Sequence, residues 1–431
     1  MSGPSFSEAA RTFGKIGLLS FGGPAGQIAL MHRILVDEKK WLGEKQYLNA
    51  LNFCMLLPGP EAMQLATYAG WLLHGVRGGL TAGLLFVLPG ALVLLALSSA
   101  YVFLGDQTWM SGLLFGLSAA VLALVLEALL RVSKRALKSR FAYVIAAMAF
   151  VAIALLKLPF PLVVLFAALA GIVRYRMMPQ EEAGPAQAAL ARAPLSSTLV
   201  TTLIWLAIWL IPLALLMWIN PGNGFFKDAA LFFSKAAVVT FGGAYAVLVY
   251  AGQQAVEVYG WLKPGEMVTG LGLAETTPGP LILVLVFVAF LGGSRVSGYD
   301  AFTGGVLGGV TALWFTFVPC FLWIFAGAPF IEAAGRVKWI SAALSAVTAA
   351  VVGVIANLAL WFGLHVLFGE IGEVRFGPLH LPQFSVAQLD WAALAIALAA
   401  GAALLKYHAN LFLVLGGSAA AGIGLKLAGL A

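Results

Sequence analysis

The sequence predicts an all-α polytopic membrane protein, built as an inverted-topology repeat of two homologous helical halves. Three observations predict it. Of 431 residues, 61% are apolar and 10% charged. Soluble domains carry about 25% charged residues, so this chain cannot cover itself with a hydrated surface. Apolar stretches of about 20 residues, long enough to span a hydrocarbon core, recur along most of its length. A pair of motifs near residues 20 and 59 returns 220 residues later. The mean hydropathy of +0.97 makes a soluble enzyme, a nucleic-acid binder or a disordered chain a poor reading. The apolar runs are continuous rather than alternating, which selects helices over a barrel.

Thirteen apolar segments follow one another, near residues 12–32, 47–74, 79–104, 110–130, 141–157, 160–173, 197–219, 229–256, 266–293, 301–329, 340–367, 390–405 and 409–430. The sixth is short for a span, and the first two contain breakers. Pro179 to Pro194 is rich in Ala, Pro, Gln and Glu and reads as a solvated linker. The chain therefore divides into an N-terminal half (1–178), a cytoplasmic linker (179–196), a C-terminal inverted half (197–389) and two additional segments (390–431).

Charge orients these segments. The net charge of +7 would suggest nucleic acid in a soluble protein, but here the basic residues cluster between apolar runs. Arg131, Lys134, Arg135, Lys138 and Arg140 crowd one loop, which the positive-inside rule places in the cytoplasm. Counting outward puts the N-terminus, Arg77, Arg174, Arg176, Arg336 and Lys338 inside as well. Glu370, Glu373 and Asp390 then fall outside. Cys54 and Cys320 lie far apart in apolar context and read as packing residues. Arg11 and Lys15 precede an apolar stretch, but Phe21-Gly22-Gly23-Pro24 interrupts it and no cleavage site follows, so a signal peptide is not expected.

The repeat is the strongest organisational signal. FGKIGLLSFGG (Phe13 to Gly23) returns as FSKAAVVTFGG (Phe233 to Gly243). At the same offset Asp37 meets Glu257, Trp41-Leu42 meets Trp261-Leu262, and Pro58-Gly59-Pro60 meets Pro278-Gly279-Pro280. After a ten-residue insertion, Pro89 meets Pro319, and Ser118 to Leu130 meets Thr348 to Leu360. Seven segments precede the second copy, so it enters from the opposite side, as in many secondary transporters.

Two motifs break helices in each half. Ser20-Phe21-Gly22-Gly23-Pro24 is echoed by Thr240-Phe241-Gly242-Gly243, and Leu57-Pro58-Gly59-Pro60-Glu61 by Thr277-Pro278-Gly279-Pro280. Proline removes a donor and glycine loosens the backbone. Unwound backbone at membrane depth persists only where it is buried or lines a cavity, and matched breaks in two halves mark a transport site. Pro60 and Pro280 suit the first helical position, which would aim free N–H groups into the site. Lys15 and Lys235 occupy equivalent positions inside apolar segments. With the hydroxyls of Ser20, Thr240, Thr276 and Thr277 they describe an anion site, and Gln64 is a further polar candidate.

Glu61, Glu275 and Glu127 are the acids within apolar segments, and they are the candidates for coupling or gating. Glu61 follows the first Pro-Gly-Pro turn, Glu275 precedes the second, and Glu127 stands opposite Asn357 in the repeat. Packing kinks, snorkelling lysines and structural ion pairs are the plainer alternatives for these features. No phosphate loop, no GxSxG, no HExxH and no metal-ligand spacing among the five histidines occurs, so neither ATP-driven pumping nor an enzyme is expected, and no cofactor or metal. The residues therefore lead to a secondary transporter with a midplane anion site, a passive anion channel being the alternative.

At SFGGPAGQIALMHR, LPGPEAMQLATYAGW, FGGAYAVL and TTPGPLILVLVF the chain resembles the chromate ion transporter family, in its long two-domain form. The resemblance covers residues 7–370. It implies a multi-pass carrier of the prokaryotic plasma (inner) membrane that exports chromate and lowers its toxicity. It also implies a link to sulfate, an oxyanion of like charge and shape, so a transporter of sulfate or another oxyanion is the alternative within transport. It points to Phe21, Gly22, Gly23, Pro58, Gly59, Pro60, Glu61, Phe241, Gly242, Gly243, Pro278, Gly279 and Pro280 as functional positions. The expected partners are chromate or a similar oxyanion and the lipid bilayer, with a homodimer as a possible assembly and no nucleic acid.

Overall fold

The computed structural model describes residues 3–21, 23–55, 57–177, 195–219, 224–241, 244–263, 265–328, 338–369 and 371–430. Gly22, Gly242, Gly243, Arg336, Glu370 and nearly all of the expected linker at 179–196 lie outside them. Among the described residues the apolar stretches are helical apart from their breaks, and most helices are bounded by identifiable caps or breaks.

The first copy runs through seven helices: α1 (Phe6–Leu19), α2 (Gly23–His32), α3 (Glu44–Cys54), α4 (Glu61–Leu104), α5 (Thr108–Ala136), α6 (Arg140–Ala154) and α7 (Phe160–Met177). The Ser5 hydroxyl caps α1 by accepting from the Glu8 N–H at 3.2 Å. A π-helical turn, Arg33–Glu38, continues α2. His74 and Gly75 leave the helical region, so α4 is two helices joined end to end. Helix α8 (Leu195–Ile219) begins inside the last two residues of the stretch expected to be a linker. The second half of the chain begins with α9 (Phe225–Val239), α10 (Ala244–Gln253), α11 (Glu266–Glu275), α12 (Val284–Val296), α13 (Ala301–Gly327) and α14 (Lys338–Phe368). Helices α15 (Trp391–Gly401) and α16 (Leu411–Leu427) close the chain. Among the described residues, six helices are long and apolar enough to cross a membrane: α4, α5, α7, α8, α13 and α14.

Local irregularities recur at the sequence offset. A second π-helical turn, Gln254–Val258, continues α10. Lys40 and Gly260, 220 residues apart, both take positive φ, 52° and 62°. Trp41 and Leu42 donate their N–H groups to Leu35 O, as Trp261 and Leu262 do to Ala255 O.

The first broken segment folds back on itself. Laid straight, α1, α2 and the π turn would extend about 45 Å at 1.5 Å per residue. Instead Lys39, just past that turn, pairs with Glu8 in the first turn of α1 at 2.8 Å. The Phe6 ring meets the His74 ring edge-on at 5.6 Å. In the second copy Phe226 meets Tyr299 at 6.0 Å.

The chain forms two compact units, each drawing on both sequence halves. The first comprises residues 1–95, 168–247 and 277–344, and holds the broken helices of the first copy with α8, α9, α12 and α13. There α12 and α13 pack backbone to backbone, a Cβ on Gly308 overlapping the carbonyl of Ala289. The second unit comprises residues 96–167, 248–276 and 345–431. In it α5 packs on α16 through Gly116 and Gly422, and Tyr101 Oη donates to Glu266 at 2.9 Å. A β-hairpin, β1 (Gly372–Phe376) with β2 (Leu379–Gln383), adds to the helices a feature that the sequence did not announce. It docks on the end of α6 through the His380 N–H, which donates to Leu155 O at 2.8 Å.

Candidate transport site at the paired helix breaks

The breaks meet in pairs inside the first unit. Helix α1 ends at Ser20 and α9 at Thr240, with nearly the same backbone angles: φ −80°, ψ 72° and φ −76°, ψ 78°. The last carbonyls of a helix have no partner within it. Here both take one from the other copy. The Gly279 N–H donates to Ser20 O at 2.7 Å, and the Gly59 N–H donates to Thr240 O at 2.7 Å.

The Pro-Gly-Pro turns make this possible. Gly59 has φ 118° and Gly279 φ 92°, conformations that a side chain resists. The turns are also crowded. A Cβ on Gly59 would stand 2.9 Å from Cys320 Sγ and 2.9 Å from Gln64 Nε2. A Cβ on Gly90 would overlap the carbonyl of Pro278. Pro89-Gly90 and Pro319-Cys320 are equivalent in the repeat, so each guards the turn of the opposite copy. Helices resume at Glu61 and Leu281. Pro60 and Pro280 therefore stand one position before the helix, at the cap, and not at its first residue as expected.

The hydroxyls are committed. Ser20 Oγ donates to Ile16 O at 2.6 Å, Thr240 Oγ1 to Ala236 O, and Thr276 Oγ1 to Leu273 O at 2.7 Å. Their protons go to their own helices rather than into a site, while their oxygens keep acceptor capacity. Thr277 is buried in the second turn, and Phe21 and Phe241 are half-buried beside the breaks. Gly23 opens α2 with φ 71°.

Lys15 and Lys235 lie on exposed faces of α1 and α9. Lys15 shares its face with the exposed Leu18 and Leu19. Glu61 is half-buried in the first turn of α4, where a carboxylate meets the positive end of the helix. Glu275 is buried at the C-terminus of α11, an end of opposite sign, and belongs to the second unit. Glu127 pairs with Arg131 one turn on, which fits a structural ion pair.

Gln64 is fully buried, and its Nε2 donates to Pro58 O at 2.7 Å. Gln27, which sequence reasoning passed over, is buried too. Its Nε2 donates to Gly279 O at 2.6 Å and lies 3.3 Å from Ser20 O. The Oε1 atoms of both glutamines are buried with no hydrogen-bond partner among the described residues. The one available signal was an amide four residues after Gly23 in an otherwise apolar stretch.

The chromate transporter family model matches residues 7–172 and 227–423, most of the chain. This chain belongs to the chromate transporter family. A chromate transport protein of Pseudomonas aeruginosa is 32% identical over 81% of this chain and 79% of its own length. One from Cupriavidus metallidurans is 29% identical over 81% and 80%. A probable chromate transport protein of Synechococcus elongatus is 28% identical over 83% and 85%. No solved structure matches. This is a family of transporters and not of enzymes, and its apolar helices make this member a multi-pass membrane protein. The family's second match runs to residue 423, through α15 and into α16.

Proposed function

We propose that this transporter exports chromate, or a tetrahedral oxyanion like it, from the cytoplasm across the plasma membrane of a prokaryote. It works as a secondary carrier whose two copies lie inverted in the bilayer and meet at the paired breaks. The observation that carries the reading is the reciprocal pair of backbone bonds, Gly59 to Thr240 and Gly279 to Ser20. An exchange in which i meets j′ and j meets i′ is the mark of a two-fold relation. Unwound backbone related in this way at membrane depth is where secondary transporters hold their substrates.

The repeat extends over α1–α7 and α9–α16. Lys157 and His408, between α6 and α7 and between α15 and α16, share φ near 50° (50° and 49°). Leu158 N–H to Ala152 O and Ala409 N–H to Ala403 O match at 2.9 Å each. In each copy the first two segments re-enter as hairpins, and four helices cross. Helix α8 is the extra crossing that turns the second copy over. Glu8 with Lys39 supports the first hairpin. Lys157, Glu257 and Glu373 line one cavity of about 160 Å³ in the second unit, so they share a side of the membrane. That side is the outer one by the charge rule, and Glu257 reaches it only if α9 and α10 enter and return.

Export follows the field. An interior-negative potential drives each negative charge outward by roughly 2.3 kcal/mol per 100 mV. N-termini of the half-helices and the lysines offer the positive charge an oxyanion needs. Glu61 and Glu275 are the groups through which protons would couple. Radiolabelled chromate in proteoliposomes tests the carrier: saturable flux with counterflow is expected. Flux that rises linearly with concentration and lacks counterflow means a channel.

A further inference from the structure

The two cross-copy junctions are equivalent in backbone and unequal in side chain. At the Ser20–Gly279 junction Gln27 adds its amide, donating to Gly279 O at 2.6 Å and reaching Ser20 O at 3.3 Å. The amide cannot be flipped, because its oxygen would then face two carbonyl oxygens. Position 247 is the equivalent of 27, and Val247 is buried and carries no donor. At the Gly59–Thr240 junction the backbone bond stands without such help among the described residues. Gln64 holds Pro58 O, but Pro58 belongs to its own copy, so this bond stiffens the turn without tying it to Thr240.

We propose that Gln27 is a positioning residue that makes Ser20–Gly279 the fixed junction of the transport cycle and leaves Gly59–Thr240 as the one that opens. This rests on the carrier reading. A symmetric pair of junctions would open with equal ease. One extra neutral hydrogen bond shifts such an equilibrium roughly three- to tenfold, and Gln27 biases the choice by that much or more. The opening junction carries a natural reporter. Cys320 is buried beside Gly59, so separating Gly59 from Thr240 uncovers its thiol.

The test is the rate of Cys320 modification by a membrane-permeant maleimide, in full-length Cys54→Ala protein in proteoliposomes, with and without chromate. Modification about tenfold faster during chromate flux is expected. Val247→Gln, which installs the missing amide, is expected to slow modification and flux together by three- to tenfold. Gln27→Val is expected to leave Cys320 modification within twofold, and Gln27→Asn to restore part of any lost flux. Modification of Cys320 unchanged by Val247→Gln, in protein that elutes as wild type, overturns the assignment. So does a Cys320 that never reacts while chromate flows. Should no chromate flow and Val247→Gln still protect Cys320, the substrate is wrong and the junction assignment stands.

Discussion

The amide of Gly59 donates to the carbonyl of Thr240 at 2.7 Å, across 181 residues of chain, and its repeat equivalent Gly279 does the same to Ser20. Each half thus closes the open helix end of the other. Both bonds lie within the first compact unit, which therefore draws on both halves.

Substitution at the turns separates strain from overlap. Alanine at Gly59 must adopt φ 118° and displace side-chain atoms at 2.9 Å. A residue so placed costs on the order of 1–3 kcal/mol. Gly90→Ala drives a methyl group into the Pro278 carbonyl, backbone that cannot swing away. Gly59→Ala is expected to lower chromate flux at least tenfold with a small drop in thermal midpoint. Gly90→Ala is expected to lose more of the midpoint, which thermal unfolding in detergent reads directly.

The lysines answer to a comparison of charge and shape. Lys15→Ala and Lys235→Ala are expected to raise the apparent KM for chromate several-fold with the maximal rate nearly kept, and Lys→Arg is expected to restore most of it. Equal kinetics for all four variants and wild type remove both lysines from the site.

Glu61 and Glu127 should differ in pH dependence. Glu61 opens α4 beside the break, whereas Glu127 is held by Arg131. Glu61→Gln is expected to flatten the pH profile of flux and Glu127→Gln to leave it in place. A profile unchanged in Glu61→Gln assigns the titration elsewhere.

The hairpin carries its own pH dependence. The His380 hydrogen bond, and then Arg375, hold the Glu373 carboxyl below its ordinary value of 4.5. A carboxyl depressed on folding adds stability above its unfolded value, and that stability is lost as pH falls through the folded one. Hydrogen exchange over 372–383 is expected to quicken as pH drops below about 4.5, after correction for intrinsic rates. Glu373→Gln is expected to abolish the change.

Re-entry of the first two segments has a labelling signature. Lys40→Cys is expected to react with an impermeant reagent only from the cytoplasmic side, and Lys263→Cys only from outside. Full crossings by α1–α2 and α9–α10 would reverse both results.

Much of this was legible in the sequence, for physical reasons. Proline and glycine announce a broken helix anywhere, and an offset of 220 between two broken motifs shows which breaks are equivalent. Composition alone established the membrane class. What stayed hidden was the partner of each break. A backbone bond between Gly59 and Thr240 uses no side chain and leaves no trace in residue types. Gln27 was hidden because a single amide in an apolar run looks the same whether it ties two copies together or packs. The Ser20 and Thr240 hydroxyls were legible as polar groups at the breaks, but spacing cannot reveal that a helical carbonyl four residues back accepts from each. The fold-back of the first broken segment stayed hidden too, because it rests on the contact of Glu8 with Lys39, which no hydropathy profile contains.

The most direct test of the central claim is chromate flux in proteoliposomes with membrane potential and pH gradient set independently, and sulfate as competitor. The account predicts saturable chromate flux toward the positive side, competed by sulfate, and lost when Gly59 and Gly279 are both replaced by alanine. Chromate that stays put under every gradient, or flux indifferent to those two glycines, would contradict it.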